Sequence, residues 1–212
     1  MSDNMSNKLK VKADPPDVTA EDRRAHVRKL AGAIAHAIRN FGEVDVRSVG
    51  NPCIGKAAKA LAISKEFMTK NHNLALYCVP GFIDVEMDDG IKTGIKFCAF
   101  TDEISTGRGS DDDTELFVAS DGRGSDEERK NGVKKLAGAI AHALRESGSV
   151  KVRCFGNACI GKAAKSLAIA RGFVAVNGMD LYCSPYFITA EIGGEEKTGI
   201  GFQVFVGGNN IE

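Results

Sequence analysis

One segment of the chain carries the residue types for phosphate chemistry, and it occurs twice. Gly50-Asn51-Pro52-Cys53-Ile54-Gly55-Lys56 returns as Gly156-Asn157-Ala158-Cys159-Ile160-Gly161-Lys162. Each copy follows a strand-like run and leads into a helical pattern, the setting of a GxxxxGK phosphate loop. A nucleotide-hydrolysing loop needs Ser or Thr next to hold magnesium, and Ala57 and Ala163 stand there. Pro52 also removes a backbone N–H that would face the phosphate. A softer use survives, because any helix N-terminus offers free N–H groups and partial positive charge to an anion. Asn51, Lys56 and Lys59, with Asn157, Lys162 and Lys165, are therefore candidates for paired phosphate contacts. The competing reading is an N-cap at Asn51, Pro52 at the first helical position and a solvated lysine face.

Little else suggests reactivity. His36 and His142 lie in alanine-rich helical stretches with no nucleophile and matching acid beside them, so helix-packing histidines are expected. Asp88-Asp89 and Glu195-Glu196 read as solvated turns. Six cysteines, Cys53, Cys78, Cys98, Cys154, Cys159 and Cys183, form no CxxC pair and sit mostly in apolar stretches, as buried free thiols do. No zinc-ligand spacing is present. A non-enzyme without cofactor or metal is the expectation. Met1 to Lys10 is polar with no signal-peptide pattern, and no run approaches the roughly 18 apolar residues of a membrane span. A cytoplasmic protein with no membrane partner is expected.

The elements that must position these residues are also duplicated. From Leu30 to Phe67, 26 of 38 residues recur at an offset of 106. Past Asn71 the offset is 105, through Pro80/Pro185 and Phe97/Phe202. Two copies, 8–100 and 115–207, are joined by 101–114, a Gly-, Ser- and Asp-rich flexible linker. In copy one, Val11 marks a short strand, and Val27, Leu30, Ala31, Ile34 and Ile38 a helix stopped by Gly42. Val44 to Val49 alternates as a half-exposed strand, and Ile54, Ala57, Ala58, Leu61 and Ala62 mark a second helix. Leu74 to Val79 is a third strand, and Phe82–Val85 with Thr93–Phe100 a hairpin arm. The order βαβαββ predicts an α/β fold of the two-layer α+β kind, in tandem, as an intramolecular pseudo-dimer.

Charge at first opposes a nucleic-acid partner, since 28 Lys+Arg balance 28 Asp+Glu. Its distribution does not. Residues 1–100 carry 15 basic and 12 acidic side chains, and 116–212 carry 12 and 10, whereas 101–115 hold one Arg against six acids. Two weakly basic units are cancelled by an acidic connection.

Copy two adds a specific resemblance. Leu136-Ala137-Gly138-Ala139, Val150-Lys151-Val152-Arg153, Leu167-Ala168-Ile169-Ala170-Arg171-Gly172-Phe173, Asp180-Leu181, Pro185 and Gly194-Glu195-Glu196-Lys197-Thr198 closely resemble the stage V sporulation protein S family. The resemblance covers nearly all of copy two and, more loosely, copy one. It implies an Alba-like fold, nucleic-acid binding and self-association. Carried over by position, it implies contacts from Arg28 and Lys29, from Asn51, Lys56 and Lys59, and from Lys92. In copy two these are Lys134, Lys135, Asn157, Lys162, Lys165 and Lys197, and Arg47 and Arg153 join them from the adjoining strand. The chain departs from the pattern in three places. Residues Asp14 to His26 and Asp121 to Val133 look inserted, the second-helix turn lacks the arginines of archaeal Alba proteins, and copy one reads Ser64-Lys65-Glu66-Phe67. The expected function is binding of DNA or RNA by backbone phosphates. The alternative is a scaffold that uses the duplicated fold for protein contacts.

Overall fold

In a computed structural model, which describes residues 7–88, 90–103, 113–120, 122 and 124–208, Thr19 and Ser125 each turn the chain into a long helix. The Thr19 hydroxyl accepts the Asp22 N–H at 3.1 Å. Ser125 and Glu128 form a reciprocal capping box, and its two hydrogen bonds hold the Glu128 carboxyl below its usual range. The first half runs β1 (Lys8–Val11), α1 (Ala20–Phe41), β2 (Glu43–Ser48), α2 (Asn51–His72), β3 (Leu74–Met87) and β4 (Gly90–Glu103). The second runs β5 (Glu115–Val118), α3 (Asp126–Ser147), β6 (Ser149–Cys154), α4 (Gly156–Ala175), β7 (Met179–Ile192) and β8 (Glu195–Gly208). The order βαβαββ therefore stands twice, as the sequence predicts. Gly42 and Gly148, with φ of 79° and 75°, end α1 and α3.

The halves share one eight-stranded sheet, ordered β1-β2-β4-β3-β7-β8-β6-β5. β3 and β7 meet antiparallel at a single register pair, Cys78 with Cys183, and then diverge. Alternation sends Val44, Val46, Leu76, Cys78, Ile95 and Phe97 to one face, with Val150, Val152, Leu181, Cys183, Ile200 and Phe202 beside them. All are fully or almost fully buried beneath the helices, where Ile54, Leu61, Ile160 and Leu167 meet them. The Phe97 and Phe202 rings stack 6.3 Å apart, joining the two cores into one. The other face carries Asp45, Arg47 and Lys96 in one half, Lys151 and Arg153 in the other, and Tyr77, Phe100, Tyr182 and Phe205 packed ring to ring at the centre.

Several expectations need correction. β3 runs unbroken through Pro80 and Gly81 for 14 residues, where a strand and a separate arm were expected. Gly50, at φ 80°, is the N-cap of α2, and Asn51 is its first residue. The segments that look inserted supply the first turns of α1 and α3, which show no apolar periodicity before Val27 and Val133. Thr101–Glu103 continue β4, and Asp113 is buried, accepting from Ser149 Oγ at 2.6 Å and from the Gln203 amide. The rest of the expected linker, 104–112, lies outside the described residues, as does Asp89 of the expected turn. His36 and His142 lie on exposed helix faces and do not pack into the core. The cysteines are free thiols, as expected, and all but half-exposed Cys98 are buried. Burial, with the charge of Glu43 beside it, pushes the Cys98 thiol up to about 11.

The second half has an ion pair whose two positions are not paired in the first. Arg171 of α4 grips Asp180 of β7 with both ends of its guanidinium, at 2.6 and 2.9 Å. The corresponding residues of the first half are Lys65 and Ala75. Burial alone would raise the Asp180 carboxyl, but hydrogen bonds from Arg171 and the Leu181 N–H, and the Arg171 charge, hold it below the ordinary 3.8. A carboxyl lowered by folding stabilises fully above its unfolded pKa and loses that contribution as pH falls through the folded value. The melting-temperature gap between wild type and Asp180→Asn is therefore expected at pH 6 and expected to close toward pH 2. A gap that is constant with pH would exclude the pair as its source.

Candidate nucleic-acid interface

The repeated Gly-Asn-X-Cys-Ile-Gly-Lys segment forms a contact between helices. The first turns of α2 and α4 cross where Asn51 lies on Gly161 and Asn157 lies on Gly55. A Cβ on Gly55 would stand 2.3 Å from Asn157 Oδ1, and one on Gly161 would stand 2.2 Å from Asn51 Oδ1. These two glycines are thus required by close approach of a neighbouring helix, with ordinary helical backbone. Because the segment is helical from Asn51 onward, it cannot curl around a phosphate as a P-loop does.

The crossing brings two N-terminal helix ends together, and two lysines point back over it. Lys59 Nζ lies 3.5 Å from Asn157 Oδ1, and Lys165 Nζ lies 3.5 Å from Asn51 Oδ1. Neither has a carboxylate within 4.0 Å among the described residues. Burial lowers the Lys59 ammonium from its ordinary value. Two positive helix ends and two ammonium groups thus concentrate charge of one sign, and an anion placed there would relieve their mutual repulsion.

Lys56 and Lys162 are used differently. Lys56 is mostly buried, donates to the Lys12 carbonyl at 3.2 Å, and forms an ion pair with Asp14. His26 contacts the same Asp14 oxygen at 2.7 Å, and these partners outweigh burial to lower the Asp14 carboxyl. Lys162 donates to the Ala119 carbonyl at 3.3 Å. Each fastens the segment after its half's first strand to the second helix. Arg23, Lys56 and Lys59 line one cleft with Asn157 and with Asp14, the partner of Lys56, so the first half adds Arg23, which spacing alone did not single out.

The remaining candidates fall elsewhere. Arg28 and Lys29, with Lys134 and Lys135, are exposed on the outer helices α1 and α3. Lys92 and Lys197 are exposed on the two hairpin arms, and Lys197 lies 3.8 Å from Glu195. Arg47 and Arg153 occupy the sheet face opposite the helices. Arg47 pairs with Asp45 at 2.9 Å and Arg153 with Glu115 at 3.0 Å. The fold therefore gathers Asn51, Lys59, Asn157 and Lys165, turns Lys56 and Lys162 to the segments after the first strands, and leaves the outer-helix, arm and open-face residues on separate surfaces. Lys96, on the open face beside Arg47, was not singled out either, although alternation along Ile95-Lys96-Phe97 places it there.

The family model for Stage V sporulation protein S (SpoVS) matches residues 22–102 and again 128–207. The chain belongs to the stage V sporulation protein S family. The two matches contain the crossing helices, the arms and the central strands of each half, and both start inside the first helix. β1 and β5, with the Asp14 anchor of Lys56, lie outside the matched segments. No described helix is long and apolar enough to cross a membrane.

Proposed function

We propose that this family member is a non-enzymatic protein that binds DNA or RNA through backbone phosphates, with the helix crossing at its centre. The observation that carries the proposal is the convergence of two helix N-termini with Lys59 and Lys165, whose polar contacts are amide oxygens and not carboxylates. Arg23 extends that surface within the first half, and the exposed lysines Lys92 and Lys197 offer further contacts from the two hairpin arms. Lys56 and Lys162 act as fasteners of the fold, held by Lys12, Asp14 and Ala119, and do not contact phosphate in this proposal. No cofactor enters the proposal, and the cytoplasm is its setting. Fluorescence anisotropy with labelled duplex DNA and single-stranded RNA, at 50 mM salt and micromolar protein, tests it. Saturable binding to either is expected, and the absence of both removes the proposal.

The scaffold reading keeps one supporting observation. Among the described residues β1 and β5 are the outermost strands of the sheet, and an edge strand can accept a further strand. The edges are four residues long, which limits what they can hold.

A further inference from the structure

One transverse row on the open sheet face differs between the halves in a way the duplication does not require. In the second half, register aligns Phe117 of β5, Arg153 of β6, Gly201 of β8 and Tyr186 of β7. In the first half the same row is Lys10, Arg47, Lys96 and Gly81. The small residue has changed strands. The Lys96 stem passes over Gly81, where an added Cβ would meet it at 3.8 Å, whereas the Tyr186 ring covers Gly201, whose added Cβ would meet it at 2.4 Å.

In the second half this produces an alternation of rings and cations. The Phe117 ring is 65% exposed, and the Arg153 guanidinium stands over it at 5.1 Å. Arg153 is opposite Gly201, over which Tyr186 leans, and Lys65 of α2 brings its ammonium 5.6 Å from the Tyr186 ring. Arg153, Tyr186 and Lys65, with Glu115, Lys151 and Gln203, border an opening of about 470 Å³. Glu115 pairs with Arg153, and Asp113 is held by Ser149 and Gln203. Lys65 has no carboxylate within 4.0 Å among the described residues. The first-half row holds three cations, two of which share Asp45.

We infer that the Phe117–Arg153–Tyr186 row binds unpaired bases of single-stranded nucleic acid, with Lys65 and the all-cation row of the first half taking its phosphates. This rests on the nucleic-acid reading above and specifies its partner and a second surface. An exposed ring at Phe117 and a half-buried one at Tyr186, set between cations on a sheet face, suit bases of any identity, because every base has a π-face. Duplex DNA keeps its bases stacked internally and cannot use the rings.

The test is anisotropy with a labelled 12-nucleotide poly-dT strand and a 12-base-pair duplex, for wild type, Phe117→Ala, Tyr186→Ala, Tyr186→Phe and Lys59→Glu/Lys165→Glu. Loss of one stacked base is worth on the order of tenfold or more in affinity. Phe117→Ala and Tyr186→Ala are each expected to weaken the single strand about tenfold and leave the duplex within about twofold, and Tyr186→Phe to bind as wild type. The Lys59/Lys165 variant is expected to weaken the duplex most. Single-strand binding that survives both ring truncations overturns the row while leaving the helix crossing intact. Wild type that binds only duplex does the same, and wild type that binds neither overturns both. Should Tyr186→Ala fail to fold with Gly201 uncovered, Phe117→Ala, on an exposed edge strand, decides the matter alone.

Discussion

Lys59→Glu combined with Lys165→Glu is expected to weaken duplex binding at 50 mM salt by about 100-fold or more. The two ammonium groups lie over the point where α2 and α4 cross, each against an asparagine oxygen of the opposite helix. A charged hydrogen bond to phosphate contributes about 1.5 kcal/mol or more, so losing two removes about 3 kcal/mol. At about 1.4 kcal/mol per tenfold, that exceeds 100-fold before any repulsion by the new carboxylates is counted. The substituted carboxylates can accept from the Asn51 and Asn157 amides, so the melting temperature is expected to stay within a few degrees of wild type. Lys162→Glu is the informative control, because Lys162 holds the Ala119 carbonyl. It is expected to lower stability more than affinity. A scaffold would respond to neither substitution in a binding assay, since it has no nucleic-acid affinity to lose.

Gly199→Ala is expected to have the largest effect on stability of any single methyl addition considered. A Cβ there would lie 2.4 Å from the Cys154 carbonyl oxygen and 2.7 Å from the Phe155 ring. Its counterpart Gly94 faces the Ser48 carbonyl oxygen at 2.5 Å. In both halves the last strand presses on the end of the second strand just before the crossing helix starts. A backbone carbonyl cannot swing aside as a side chain can, so the strand itself must move. Overpacking of this kind costs about 1–3 kcal/mol, and for a chain of this size each kcal/mol lowers the melting temperature by about 2–4 °C. A fall of about 5–10 °C is expected. Gly138→Ala provides the opposite case, since α3 leaves its Cβ position empty and backbone entropy alone favours alanine by about 1 kcal/mol. Circular-dichroism melts of the two variants should shift in opposite directions, and a fall in both would exclude close approach as the reason for Gly199.

How much of this is legible in the sequence depends on whether a feature is local. The duplication, both helix stops at glycine and the half-exposed second strand follow from periodicity and turn chemistry within a few residues. The first turns of α1 and α3 were obscured because Glu21-Asp22-Arg23-Arg24 and Asp126-Glu127-Glu128-Arg129 are solvated all round. Their caps, Thr19 and Ser125 with an acid three residues on, were nonetheless readable. Asp113 looked like the end of an acidic run, and only the fold brings Ser149 and Gln203 to it.

The candidate site shows the same division. The spacing of Gly50-Asn51 to Gly55-Lys56 identified an important segment and misassigned its glycines, because their partner is another helix 106 residues away. Lys56 and Lys59 are equivalent by helical spacing, yet Asp14 claims one and leaves the other at the crossing. Pairwise comparison of the copies could have exposed the open-face row, since Gly81/Tyr186 and Lys96/Gly201 exchange a large and a small residue between paired strands. That exchange becomes meaningful only once register places the four positions together.

The central claim, that phosphates are held by ammonium groups and helix ends, is tested most directly by the salt dependence of the intact chain's binding to duplex DNA. With about four phosphates neutralised, the slope of log K against log salt should be near −3.6, roughly a 150-fold loss of affinity between 50 and 200 mM. A slope near zero at measurable affinity would contradict it.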